Sequence, residues 1–257
     1  MSFEQLVHVS EIGHDKFPFH LLVNEWREKR QHLAVWLNEI PRLIADYKAS
    51  RKTPYDQNPR ITLVDPVPGI RLSSACEAAA NCLYAMAEIS AQFGNKASKG
   101  ALPSSFNALR KKAEKGEYSN DFLAGWTQDL SWYKKIREIR TEWAHFSTIF
   151  IGQANDEPII CVRCFRNHSD RTEFPKHFQI PIPEFLDWLN RAIATIDNFG
   201  NYVLANYVVP AFDLNEKLIS PKRDRNGWPI INAAGGFEIE EITVEQHLAK
   251  VGIHKTR

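Results

Sequence analysis

Apolar residues return every three or four positions over long stretches of this chain, and the period falls to two mainly between residues 158 and 182. The first spacing is that of a helix burying one face, the second that of a strand. The chain is therefore expected to be mainly α. Leu22, Trp26, Leu33, Trp36, Leu37, Ile40, Leu43, Ile44 and Tyr47 predict a helix over about 18–50, which Pro41 should kink or split. The four prolines of KTPYDQNPRITLVDPVPG (52–69) exclude a helix and mark a connector. An alanine-rich helix follows over about 72–93, its small side chains allowing a neighbouring helix to come close. GNKASKGALPSS (94–105) reads as a loop and SSFNALRKKAEKGE as a short basic helix. Ser119 and Asn120 offer caps for a long helix over about 120–150.

The change of period comes next. PIICVRCFRN (158–167) and HFQIPI (177–182) read as two strands of a β-hairpin, joined by the turn-rich NHSDRTEFP. Pro183 suits the first turn of a further helix, carried to about 210 by Leu186, Leu189, Ile193, Ile196, Val203 and Tyr207. Beyond it lie a polar loop, the apolar stretches GWPII and GGFEIEEI, and Thr243 with Gln246 as a capping box for a last short helix ending near Gly252. The expected architecture is an N-terminal segment (1–17), a bundle of four to five helices (18–212) with a β-hairpin inserted at about 158–182, and a mixed C-terminal extension (213–257).

A chain of 257 residues with 44% hydrophobic and 25% charged residues has enough apolar material for a core and is not a disordered composition. Its formal net charge of +1 means that nucleic acid would have to be met by a local patch. No run of apolar residues is long enough to span a membrane. MSFEQLVHVSEIGHDKF lacks the basic-then-apolar pattern of a secretory signal. With four cysteines, read as free thiols, this points to a reducing, cytoplasmic setting.

Phosphate loops, dinucleotide-binding glycine patterns, zinc-hydrolase HExxH and nucleophile elbows are all missing. Cys161 and Cys164, with His168 and His177 downstream, form the nearest approach to a metal motif. Residues three apart on a strand face opposite sides, so they are read as ordinary strand cysteines, and no metal or other cofactor is expected. Trp26, Trp36, Trp132, Trp143 and Trp188 fall on or near apolar helix faces and are read as packing residues rather than base-stacking ones.

The chemistry-bearing residues gather in IREIRTEWAHFS (136–147). Trp132, Ile136, Ile139, Trp143, Phe146 and Phe150 make a stripe at helical spacing. At about 100° per residue, His145 lies roughly 140° from the centre of that stripe, on the polar side with Arg137 and Thr141. Arg140 sits at the edge, and Lys134 and Lys135 precede it, so the region is a local cationic patch holding one titratable group. Glu138 and Glu142 can pair with these cations along the helix, which is the competing structural explanation of the charges. Histidine exchanges protons near neutral pH, and the planar arginine fork matches two phosphate oxygens. Such a pair suits cleavage of RNA by its own 2′-hydroxyl.

Arg140-Thr-Glu-Trp-Ala-His145 resembles the Arg-x4–6-His motif of HEPN domains, in a helix (IREIRTEWAHF) similar to theirs. The pattern recurs in this chain as Arg27 to His32 and Arg163 to His168, but on the first helix and in a strand. The resemblance implies an all-α bundle that dimerises through the motif helix. It implies a metal-independent endoribonuclease, of the kind found in toxin–antitoxin and phage-defence systems. Arg140 and His145 would be its catalytic pair, and a regulatory or antitoxin protein a possible partner. The position after the motif arginine, often asparagine, aspartate or histidine in the family, is here Thr141, which would orient one of the pair. Lys134, Lys135 and Arg137 would guide the RNA backbone. The alternative within the family is a catalytically inactive module that binds a protein or nucleotide partner.

Overall fold

The structure, a computed structural model, describes residues 20–50, 53–55, 58–63, 66–118, 130–145, 149–154, 157–164, 176–211, 213–225 and 228–250. Among them it is mainly helical. Helix α1 (His20–Ala49) is followed by strands β1 (Thr53–Tyr55) and β2 (Asn58–Leu63), then α2 (Pro66–Ala97), α3 (Phe106–Glu114) and α4 (Ser131–His145). Strands β3 (Ile149–Ala154), β4 (Glu157–Cys164) and β5 (Lys176–Pro181) lead into α5 (Ile182–Val203), and β6 (Lys217–Pro221), β7 (Ile239–Thr243) and α6 (Val244–Lys250) close the chain.

Helix α2 is the hub. It packs most extensively along α1 and also touches α3, α4 and α5. Its alanines explain how: Ala75, Ala79, Ala80, Ala87 and Ala91 are all buried, leaving room for larger side chains of the surrounding helices. Gly94 carries this furthest. A Cβ added there would lie 2.9 Å from the ring of Phe199 on α5, so only glycine permits the approach. Around this hub Trp26, Leu33, Phe93, Phe106, Trp132, Tyr133, Phe185 and Phe199 are fully buried and form one continuous core. Burying each such side chain contributes about 1.5–3 kcal/mol.

Several boundaries differ from those the sequence suggests, each for a local reason. Helix α1 runs unbroken through Pro41, which sits on the exposed side, where a backbone carbonyl left without its N–H donor can face solvent. The connector 52–69 is not free of regular structure: β1 and β2 pair as an antiparallel hairpin, and α2 begins at Pro66. Pro66 and Pro68 occupy its first turn, whose N–H groups have no acceptor within the helix, so proline costs nothing there. The same helix continues past Gly94 to Ala97, shortening the expected loop. Helix α3 forms as expected, with the Ser105 hydroxyl accepting from the Ala108 N–H at 3.2 Å.

The long helix expected over 120–150 is described only as Ser131–His145, and its expected caps Ser119 and Asn120 lie outside the described residues. Ile149 and Phe150 belong to a strand instead. Strand β3 pairs antiparallel with β4, and β4 with β5, giving a three-stranded sheet where a two-stranded hairpin was expected. The apolar run Ile149-Phe150-Ile151 reads equally as the end of a helical stripe or as a strand, and pairing with Ile160, Cys161 and Val162 decides it. Gly152 is required here because a Cβ would meet Cys161 Sγ at 2.7 Å. The sheet is tied to α1 by the Tyr47 hydroxyl, which donates to the Gly152 carbonyl at 3.5 Å, and by an exposed Lys48–Glu157 ion pair at 2.7 Å.

Helix α5 starts as expected with proline at its first turn and continues through a π-turn (Leu204–Val208) and a 3-10 turn (Val209–Ala211). Leu214, Leu218, Val244 and Leu248 pack into the core of the bundle. The capping box of α6 is present in full: the Gln246 N–H donates to Thr243 Oγ1 at 3.1 Å, and the Thr243 N–H donates to Gln246 Oε1 at 2.9 Å. No helix among the described residues is long and apolar enough to cross a membrane.

Candidate functional site

Helix α4 carries every residue singled out as catalytic or RNA-guiding. Its buried side is made by Trp132, Tyr133, Ile136 and Ile139. Lys134, Arg137 and Arg140 are exposed, one helical turn apart from one another. Three residues advance a helix by about 4.5 Å, so these cations form a line about 9 Å long on the solvent side. Lys135 is turned elsewhere. Its ammonium lies 3.9 Å from the centre of the Trp188 ring and 3.8 Å from Glu184 Oε1, which fastens α4 to α5. His145 is the last residue of α4. The side chains of Thr141 and His145 lie outside the described ones, as do those of Glu138, Glu142, Arg163 and His168. Arg27 and His32, the other helical match to the spacing, are both exposed on α1.

Arg140 is exposed but not unsupported. Its guanidinium carbon lies 4.4 Å from the centre of the Tyr84 ring on α2. The same ring stacks on Tyr133, with centroids 5.7 Å apart and planes 17° from parallel. Tyr133 and Arg140 are seven residues, or about 10.5 Å, apart along α4. A ring that touches both is therefore bracketed by two side chains of that helix. One turn further along α2, Glu88 Oε1 accepts from the Tyr133 hydroxyl at 2.5 Å, and Glu88 Oε2 faces the backbone N–H of Phe106 at 3.4 Å. Glu88, Tyr133, Tyr84 and Arg140 thus form a continuous line of contacts from the start of α3, through the core, to the solvent side of α4.

Burial first, and then the hydrogen bonds to Glu88 and Tyr84, raise the Tyr133 hydroxyl far above the ordinary tyrosine range. Tyr133 is thus a permanent donor to Glu88 and not a proton-transfer group at neutral pH. A hydroxyl donating to a carboxylate contributes about 1.5–3 kcal/mol, whereas an exposed guanidinium over a ring contributes about 0.5–1 kcal/mol. The inner end of the line is therefore structural cement, and the outer end, at Arg140, is held in place at little energetic cost to its freedom.

Sequence reasoning did not find Tyr84, Glu88 or Tyr133. The signal available was the four-residue step from Tyr84 to Glu88 and the seven-residue step from Tyr133 to Arg140. Each puts two residues on one side of a helix, but only packing shows that the two sides meet.

Cys76, Cys82 and Cys161, the cysteines whose side chains are described, behave as packing residues. Burial raises the Cys76 thiol to about 12, and it also raises Cys82, against Lys29, and Cys161, against a hydrogen bond from the Gly152 backbone. A thiol held neutral is a poor nucleophile. Among the described residues no three histidine, cysteine, aspartate or glutamate side chains stand close enough to hold a metal ion. No protein-family model, no curated protein and no solved structure matches this chain.

Proposed function

We propose that the chain is an endoribonuclease of the HEPN kind, cleaving RNA through its own 2′-hydroxyl without a metal, in a homodimer whose site combines both copies of α4. Arg140 holds the scissile phosphate through its guanidinium fork. His145 moves the proton, as general base or acid. Thr141 orients one of the two, and Lys134 and Arg137 guide the RNA backbone, with Lys135 anchored between Trp188 and Glu184 beside them. A toxin–antitoxin or phage-defence setting, with a regulatory partner protein, belongs to the same proposal.

The observation that supports it is the placement of Arg140. Arg140 is exposed on the solvent side of α4 and backed by the Tyr84 ring, which suits a cation presented to solvent. Bracing an exposed cation preorganises it for an anion that arrives from solvent.

The same contact also favours a second reading. A guanidinium laid on a ring can simply fasten α4 to α2, in a non-catalytic module that binds a protein or nucleotide partner. One assay separates the two. Mixed RNA is incubated in EDTA with the wild-type chain, with Arg140→Ala and with His145→Ala, beside a thermal melt of each. The ribonuclease reading expects cleavage by the wild type alone, with both variants folded. Intact RNA in all three tubes, or equal cleavage by all three, rules it out.

A further inference from the structure

Residues 89–113 contain Lys96, Lys99, Arg110, Lys111 and Lys112 and no aspartate or glutamate. In a chain whose formal net charge is +1, that is a marked local excess of cations. Helix α3 carries it to the surface. Phe106, Leu109 and Ala113 are the buried residues of α3. At about 100° per residue, Lys111 and Lys115 lie within about 30° of the direction opposite them, and Lys112 stands on the flank. All three lysines are exposed. Lys111 and Lys112 pair with no carboxylate among the described residues. Glu114, the one carboxylate of α3, is taken by Arg110. Lys115 reaches Glu117 only at 3.8 Å and in full solvent, where such a pair contributes little.

Helix α3 begins where the cationic line of α4 ends. The ring centroids of Phe106 and Tyr133 are 4.8 Å apart, and Lys134 is the next residue along α4. A strand laid along Arg140, Arg137 and Lys134 therefore leaves α4 at the end nearest the start of α3. Local stability does not account for the lysines. The helix dipole favours a cation in the last turn. Like charges four apart on a helix, such as Lys111 and Lys115, are unfavourable by a similar amount.

We propose that the outward face of α3 is a second contact for the RNA backbone, taken up by the strand beyond the part that α4 holds. The inference rests on the reading of this chain as an RNA-directed enzyme and adds to it where the substrate extends. The face selects that occupant by what it presents and by what it lacks. Lysine is a compact point charge that meets a phosphate without reading a base. No large hydrophobic side chain of α3 is exposed. The face therefore has nothing to insert into a lipid surface, and it lacks the apolar centre around which protein interfaces are built. Contacts of this kind are independent of base sequence. Each phosphate neutralised releases counterions, so the binding weakens as salt rises.

The test is the affinity of the full chain for a fluorescently labelled single-stranded RNA of mixed sequence, read by anisotropy across a salt series. It is run in EDTA on a His145→Ala background, which keeps the RNA intact. Replacing Lys111, Lys112 and Lys115 together by alanine should lower the slope of log affinity against log salt by about 2 and weaken binding roughly tenfold at low salt. Alanine suits exposed helix positions, so the thermal midpoint should hold. Replacing the same three by arginine should keep both affinity and slope, because the charge is kept. Cleavage by the chain with His145 in place is scored in a separate tube. Binding that depends on α3 without any cleavage supports this inference and removes the ribonuclease reading. Cleavage with binding indifferent to the alanine variant does the reverse. A chain with no affinity for RNA overturns the proposal, and so does one that uses these lysines to bind phosphatidylserine vesicles instead. An alanine variant that only lowers the midpoint, with affinity and slope unmoved, overturns it as well.

Discussion

Tyr84 meets Tyr133 and Arg140 on one helix, and what each contact is worth decides how variants at this site should be read. Removing the guanidinium removes at most about 1 kcal/mol of cation–π stabilisation, because the group is exposed. Arg140→Ala should therefore stay folded, and a loss of RNA cleavage would report on chemistry. Tyr133→Phe is the reverse case. It strips a fully buried hydroxyl from Glu88 and leaves the carboxylate short of a donor, so it should cost about 1–3 kcal/mol in a urea titration. A variant as stable as the wild type would show that the Tyr133–Glu88 bond is not what joins α4 to α2. The motif residues Arg140, Thr141 and His145 could be picked from the sequence because their spacing is local. Tyr84 and Glu88 could not, because what gives them a role lies on another helix.

At the scale of elements, close approach governs. Helices α2 and α5 come together at Gly94, where the ring of Phe199 fills the space a methyl group would need. Gly94→Ala gains about 1 kcal/mol in helix propensity but overpacks a fully buried contact at a cost of about 1–3 kcal/mol. The net expectation is a lower thermal midpoint, and a midpoint that rises would mean that Phe199 can move aside freely. The elements themselves were largely readable. The periodic helices α1, α2 and α5, the capping box of α6 and the strands β4 and β5 all follow from spacing and turn chemistry. The failures were at ends and junctions. The split that Pro41 allows did not form, because the neighbours of Pro41 on α1 are buried against α2 on both sides of it. Strand β3 reads in the sequence as a helix end because an apolar pair looks alike in both periods until it finds a partner.

At the scale of the molecule, several buried groups are held neutral, and this sets the pH response. Tyr118 is raised to about 12 and Cys76 to about 12, and Tyr133 is raised further, all chiefly by burial. Each binds its proton more tightly folded than unfolded, where tyrosine and cysteine titrate near 10.0 and 9.0. The stability they contribute is complete below about pH 9 and drains away as pH rises toward 12. The thermal midpoint should be flat across this group's neutral range and fall steeply above it, with a shallower fall in Tyr133→Phe. A midpoint indifferent to alkaline pH would show that these groups open to water before the fold does. The same scale holds the C-terminal ribbon of β6 and β7. Its alternating pattern was visible as GGFEIEEI, but that its Ile239 side would be left in water while its Ile242 side joined the core was not.

Taken alone, the sequence determined the helical class, the order of most elements, the capping of α6 and the Arg140–His145 spacing, because each of these depends on residues within a turn or two of one another. Only the tertiary structure decided that α2 is the hub, that β3 joins the sheet, that Arg140 rests on Tyr84 above the Tyr133–Glu88 bond, and which face of the C-terminal ribbon is exposed. Those outcomes depend on which apolar faces find each other across long separations in the chain, and local spacing carries no record of that choice.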